Sequence, residues 1–140
     1  MGDVFTRAKR SALMSRIRAS GNRDTELRLM TLFREHRITG WRRNARVFGK
    51  PDFVFSRDKL AVFVDGCFWH RHQGCKFAYT PKSRLEFWGR KFDNNMARDK
   101  IVTQTLRQRG WKIVRIWECQ LHRKHWAKIA RRIARLRERR

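Results

Sequence analysis

Proline is scarce in this chain, and acidic residues are few beside basic ones. Two prolines and eight glycines in 140 residues leave no proline- or glycine-rich linker, and no internal repeat divides the sequence, so a single domain is expected. Asp and Glu number 12 against 36 Lys and Arg, a formal net charge of +24 that would repel itself in any compact body unless a polyanion neutralised it. No apolar run reaches the length of a membrane span and no signal-peptide core follows the first residues. A soluble, cytoplasmic protein is therefore expected, with nucleic acid rather than a membrane as partner. Cysteines number three, Cys67, Cys75 and Cys119, an odd count that argues against a disulfide framework and fits a reduced compartment.

What is present is enough for a core: 41% hydrophobic and 12% aromatic residues, in a chain long enough to bury about two-thirds of its unfolded surface. Met1 to Ser20 carries Arg7, Lys9, Arg10, Arg16 and Arg18 around few apolar side chains and reads as a basic arm that a nucleic acid could order. Leu29, Leu32 and Phe33, with His36 beyond, follow helical spacing and predict a helix over Asp24 to His36. Two β-rich runs follow, Asp52 to Phe55 and Leu60 to Val64, joined by a polar turn. A second helix is expected around Asn94 to Arg109, ended by Gly110, then a strand from Trp111 to Trp117 covered on both faces. The last segment, from about residue 122, places Trp126, Ile129, Ile133 and Leu136 on one stripe of a very basic amphipathic helix. Such a helix suits either contact with a phosphate backbone or a solvated structural role. The order of elements gives a small α/β domain over residues 21–140.

Cys67, His70, His72 and Cys75 fall within nine residues, and Cys119 returns just after the last strand. Five candidate ligands thus compete for the four positions of a structural zinc, and thiolates with imidazole favour zinc over magnesium. One residue is spare. His70 or His72 is the natural one, and a histidine held beside a metal-stapled loop is well placed as a general base.

Carboxylates are so few that their positions are informative. Asp52 opens the first strand after Pro51, Asp65 closes the second, and Glu26 stands near the start of the first helix. Acids at opposite ends of paired strands can converge on magnesium, which against a phosphodiester is the chemistry of a nuclease. Asp52 also reads as a turn residue after proline, and Glu26 as a helix-dipole partner. Phe68 and Trp69 lie in the cysteine-rich loop and Trp88 ends a polar run; aromatics so placed among arginines can stack on bases or wedge between them. Trp41, Trp111, Trp117 and Trp126 follow strand or helix patterns and read as core or anchor residues.

Taken together, Gly-Lys-Pro-Asp-Phe-Val-Phe at 49–55, Val-Phe-Val-Asp-Gly-Cys-Phe-Trp-His at 62–70, Glu-Phe-Trp at 86–88, Asn95 with Arg98-Asp99, and Gly-Trp-Lys-Ile-Val-Arg-Ile-Trp-Glu-Cys at 110–119 resemble the very short patch repair endonuclease family. The resemblance runs over roughly residues 7–122. It implies a zinc-containing, restriction-endonuclease-like fold, a central mixed sheet flanked by helices, that nicks duplex DNA at a T:G mismatch. It further implies that Asp52 and the Val64 carbonyl bind magnesium, that His70 is the general base and that Glu26 supports the site, with Asp65 a further metal- or base-positioning group. By the same resemblance Cys67, His72, Cys75 and Cys119 are the zinc ligands and His70 is the spare. Phe68, Trp69 and Trp88 resemble an aromatic wedge, Met14 an inserting residue of the arm, and Asn95 a further DNA contact. A single cut needs a single site, so a monomer is expected. Two rival readings use the same residues: a zinc-stapled DNA-binding module without catalysis, and a nuclease of the same fold with another DNA target.

Overall fold

The computed structural model of the chain describes residues 23–138, so the basic arm expected over residues 1–20, Met14 included, lies outside the described residues. The elements run α1 (Arg23–Glu35), β1 (Arg42–Arg43), β2 (Phe53–Phe55), β3 (Leu60–Asp65), α2 (Leu85–Gln108), β4 (Lys112–Trp117) and α3 (Trp126–Glu138), with short 3-10 turns at Glu118–Leu121 and Arg123–His125. The strands form one mixed sheet in sequence order. β1 is antiparallel to β2 and β2 to β3, whereas β3 and β4 are parallel. A parallel pair needs a long crossover, and the segment containing α2 provides it.

The alternation of side chains along β3 divides the interior in two. Leu60, Val62 and Val64 join Phe53 and Phe55 of β2 and Val114 and Ile116 of β4 under α1 and α3, which contribute Leu29, Leu32 and Phe33 and then Trp126, Ile129 and Ile133. Ala61 and Phe63 point to the other side and meet Val102 and Leu106 of α2. The α3 stripe is thus the one its sequence spacing predicts, with Leu136 at its edge. Ion pairs fasten this helix and the turn before it: Arg137 of α3 donates to Asp58 at 2.8 Å, and Arg123 of the preceding 3-10 turn forks onto Glu35 at 2.9 and 3.0 Å. The second pair is exposed and contributes little.

Two expectations need correcting, and one strand carried no signal in the sequence. α2 begins at Leu85, well before the expected Asn94. Its N-cap residue, Arg84, is left-handed (φ 55°) and makes no side-chain cap, so the usual start signal is missing; the first turns are held instead by Trp88 and Phe92 packing on Phe68. His36 lies past the end of α1 and is exposed rather than on its buried stripe. The two-residue β1, exposed along its length, offers no apolar pattern from which it could be read.

Gly49 fixes how the chain enters β2. It has φ +80°, and a Cβ there would lie 2.3 Å from Cγ1 of the buried, β-branched Val102. Gly49→Ala is therefore expected to cost about 2 kcal/mol through strain and overpacking. The measurement is the denaturant midpoint at constant slope, and an unshifted midpoint would mean that the loop yields freely.

Candidate active site and metal centre

The parallel register sets Asp65 at the end of β3 opposite Trp117 at the end of β4, so the loops leaving both strands start side by side. Asp52, one residue before the Phe53–Val62 pair, is buried, and its Oδ2 accepts the Val64 amide at 2.7 Å. Val64 thereby joins Asp52 to Asp65. Asp65 is 4% exposed and accepts Arg115 Nη1 on Oδ1 at 2.9 Å. Burial raises its pKa above the ordinary carboxylate range, against the pull of the Arg115 and His70 charges.

His70 stands between two carboxylates. Its Nε2 is 4.0 Å from Asp65 Oδ1, and its Nδ1 is hydrogen-bonded to Asp99 Oδ2 of α2. An acid on Nδ1 selects the tautomer whose Nε2 carries the lone pair. Sequence reasoning assigned no role to Asp99 or to Arg115, although both fall within the quoted motifs. Signals existed for each: Asp99 shares a helix face with Asn95 and Thr103, and Arg115 interrupts an otherwise apolar strand.

Glu26 is buried on α1 and hydrogen-bonds Arg43 of β1, which pairs with Phe53 beside Asp52. Its link to the other acids thus passes through the edge strand. Asn95 is half-buried on α2, one turn before Asp99. Phe68 and Trp69 are not laid open on their loop. Each is 7% exposed, and they pack edge-on to each other (5.4 Å between centroids) and against Trp88 and Phe92. Trp88 belongs to α2, not to a loop. Trp69 Nε1 is buried without an acceptor among the described residues, which costs roughly 1–3 kcal/mol. Arg71, which the sequence did not flag, closes the loop: it donates to the carbonyls of Ala78 (2.9 Å) and Tyr79 (3.1 Å) while its guanidinium lies 4.1 Å from the Phe92 ring centroid.

At the same strand ends, ligand atoms of Cys67, His72, Cys75 and Cys119 all lie within 4.8 Å of one another. His72 Nδ1 is 3.6 Å from the Cys67 sulfur and 3.4 Å from that of Cys119, and its ring stacks on Trp117 at 4.1 Å. These four could hold a metal ion, and His70 is outside the group. Burial pushes the Cys67 and Cys119 thiols up, whereas a backbone hydrogen bond from Phe77 lowers Cys75. A cation among them would reverse the balance for Cys67 and Cys119, because the thiolate is the ligating form.

A model of the family "DNA mismatch endonuclease Vsr" matches residues 2–76. The chain is 37% identical over 123 residues to the DNA mismatch endonuclease Vsr of Escherichia coli, covering 86% of this chain and 76% of that one. It is 38% identical over 126 residues to the type II nicking enzyme V.NmeAIP of Neisseria meningitidis, covering 89% and 87% of the two chains. Against the type II nicking enzyme V.XorIIP of Xanthomonas oryzae the identity is 35% over 127 residues, 86% of this chain and 88% of that one. With these relatives the basic α/β body is that of a DNA-nicking endonuclease. More narrowly, the chain belongs to the DNA mismatch endonuclease Vsr family. Among the described residues no helix is long and apolar enough to cross a membrane.

Cys119→Ala should lower metal content and melting temperature together, the latter on the order of 10 °C, since metal bound only by the folded state is folding free energy. Equal metal stoichiometry with an unchanged melting curve would remove Cys119 from the centre.

Proposed function

We propose that this endonuclease nicks one strand of duplex DNA beside a T:G mismatch, with magnesium at the site of chemistry and zinc as a structural ion. The observation that supports it most is the continuous chain of contacts from Asp52 through Val64 and Asp65 to His70 and Asp99, at the mouth of two parallel strands. Buried oxygen donors suit a hard cation, and three sulfurs with one imidazole suit zinc. Asp52 and the Val64 carbonyl would hold the magnesium, which when bound stabilises charge on the attacking and leaving oxygens of an in-line displacement.

In this reading His70 Nε2 accepts the proton of the water whose oxygen bonds to phosphorus, while Asp99 keeps Nδ1 protonated and the ring in place. Asp65 lies close enough to favour the imidazolium that forms. Glu26 acts at a distance, by fixing Arg43 and through it the strand beside Asp52. The aromatic cluster of Phe68, Trp69 and Trp88 is the wedge. The packing of the three rings on one another supports this, because it makes one apolar block of the kind that enters between base steps. Asn95 and, in the arm, Met14 are further DNA contacts. We read residues 21–140 as one restriction-endonuclease-like domain with residues 1–20 as its arm, acting as a cytoplasmic monomer that associates with the nucleoid through DNA.

Cleavage of matched and T:G-mismatched duplexes of otherwise identical sequence, followed on each strand with and without magnesium, tests this function. A nick beside the mismatched T, dependent on the metal, is expected; equal cutting of both duplexes would overturn mismatch direction. Asp52→Ala is expected to abolish nicking while DNA affinity is kept or raised, because an anion has been removed. A variant that cuts like the parent protein would rule out Asp52 as a ligand of the catalytic metal.

A further inference from the structure

We infer that Arg115 is a positioning residue of the nicking reaction, holding Asp65 and Asp99 in fixed places on either side of the His70 imidazole. The inference rests on the reading of His70 as the base. Arg115 sits in the middle of β4 between the buried Val114 and Ile116, and its side chain turns to the α2 side of the sheet. Nη1 is 2.9 Å from Asp65 Oδ1 and 3.8 Å from Asp99 Oδ1. Nε and Nη2 donate to Thr103 Oγ1 at 3.2 and 3.1 Å, and Nη2 also reaches the Asp99 carbonyl at 3.4 Å. The face of the guanidinium is covered by the Phe63 ring, 4.3 Å from Cζ to centroid. All three guanidinium nitrogens and one face are therefore committed to the protein, which leaves the group poorly placed to serve a phosphate.

The arrangement has a physical purpose. Two carboxylates flank one imidazole, at Nε2 and at Nδ1, and without a cation between them they repel across it. A single Arg115 nitrogen reaches both acids, one on a strand and the other on a helix, and Thr103 anchors the opposite edge of the fork. The imidazole then inherits its orientation from a bridge between β4 and α2. A lysine can restore the charge but not the fork, because it presents one point of donation where Arg115 presents several.

The experiment compares full-length Arg115→Leu, Arg115→Lys and Thr103→Val with the parent protein and with His70→Ala. Single-turnover nicking is measured on a saturating mismatched duplex, and the Kd for that duplex, with its salt dependence, is measured without added magnesium. Arg115→Leu is expected to lose about 100-fold in nicking rate and Arg115→Lys about tenfold, the range found when an outer contact of a site residue is removed. Kd and its salt slope should stay those of the parent. Thr103→Val, which keeps shape and loses only the hydroxyl, should slow nicking about threefold at unchanged Kd, and it remains informative if Arg115→Leu does not fold. A weaker Kd with a salt slope shallower by about 0.9 would make Arg115 a phosphate contact instead and overturn the inference. Parental rates in all three variants beside an inactive His70→Ala would overturn it as well. Parental nicking by His70→Ala would instead overturn the reading of His70 on which it depends.

Discussion

The parallel pairing of β3 with β4 is the constraint on which the rest depends. It aligns Val64 with Ile116 and Asp65 with Trp117, so that Cys67 and Cys119 leave adjacent strand ends and Arg115 comes within reach of Asp65. Side chains alternate along both strands, so a slip of one residue would send Arg115 into the apolar layer under α1 and α3 and carry Cys119 away from His72. One register thus serves two sites, the carboxylate–histidine set and the thiolate–imidazole cluster. A metal at the cluster would in turn pin that register, because its four candidate ligands come from the loops after both strands.

Much of this was legible in the residues. Spacing gave the apolar stripes of α1 and α3, the two β-rich runs gave adjacent core strands, and Cys67, His70, His72 and Cys75 with Cys119 stood out as five candidate metal ligands, four of which the fold brings together. The start of α2 was not legible, because Arg84 gives no cap and what holds Leu85 to Asp93 in a helix is packing on Phe68, which lies far off in sequence. Nor was the enclosure of Phe68 and Trp69. A loop between cysteines suggests exposure, but their partner Phe92 becomes a neighbour only when the crossover helix folds back. The same long-range geometry hid Asp99, whose partner His70 is 29 positions away.

Scarcity of acids shapes how the site is built. With 12 carboxylates against 36 cations, every acid risks being neutralised by whatever guanidinium is nearest. The fold answers by burying Asp52 against a backbone amide and Asp65 against one chosen arginine, and by giving Glu26, Glu35 and Asp58 partners of their own. The negative centre is thereby kept distinct inside a strongly positive body. A polyanion is attracted to the surface at large, while Asp52 and Asp65 stay enclosed at the strand ends.

The early start of α2 has a mechanical meaning. Because the helix runs unbroken from Leu85 to Gln108, Trp88 in the aromatic cluster and Asp99 beside His70 are mounted on one rod, eleven residues and about 16 Å apart. A loop in that place would let the two ends drift. The rod instead works as a ruler, setting the interval between the indole and the imidazole's anchor; one inserted residue would lengthen it by only about 1.5 Å but rotate one end by about 100° against the other.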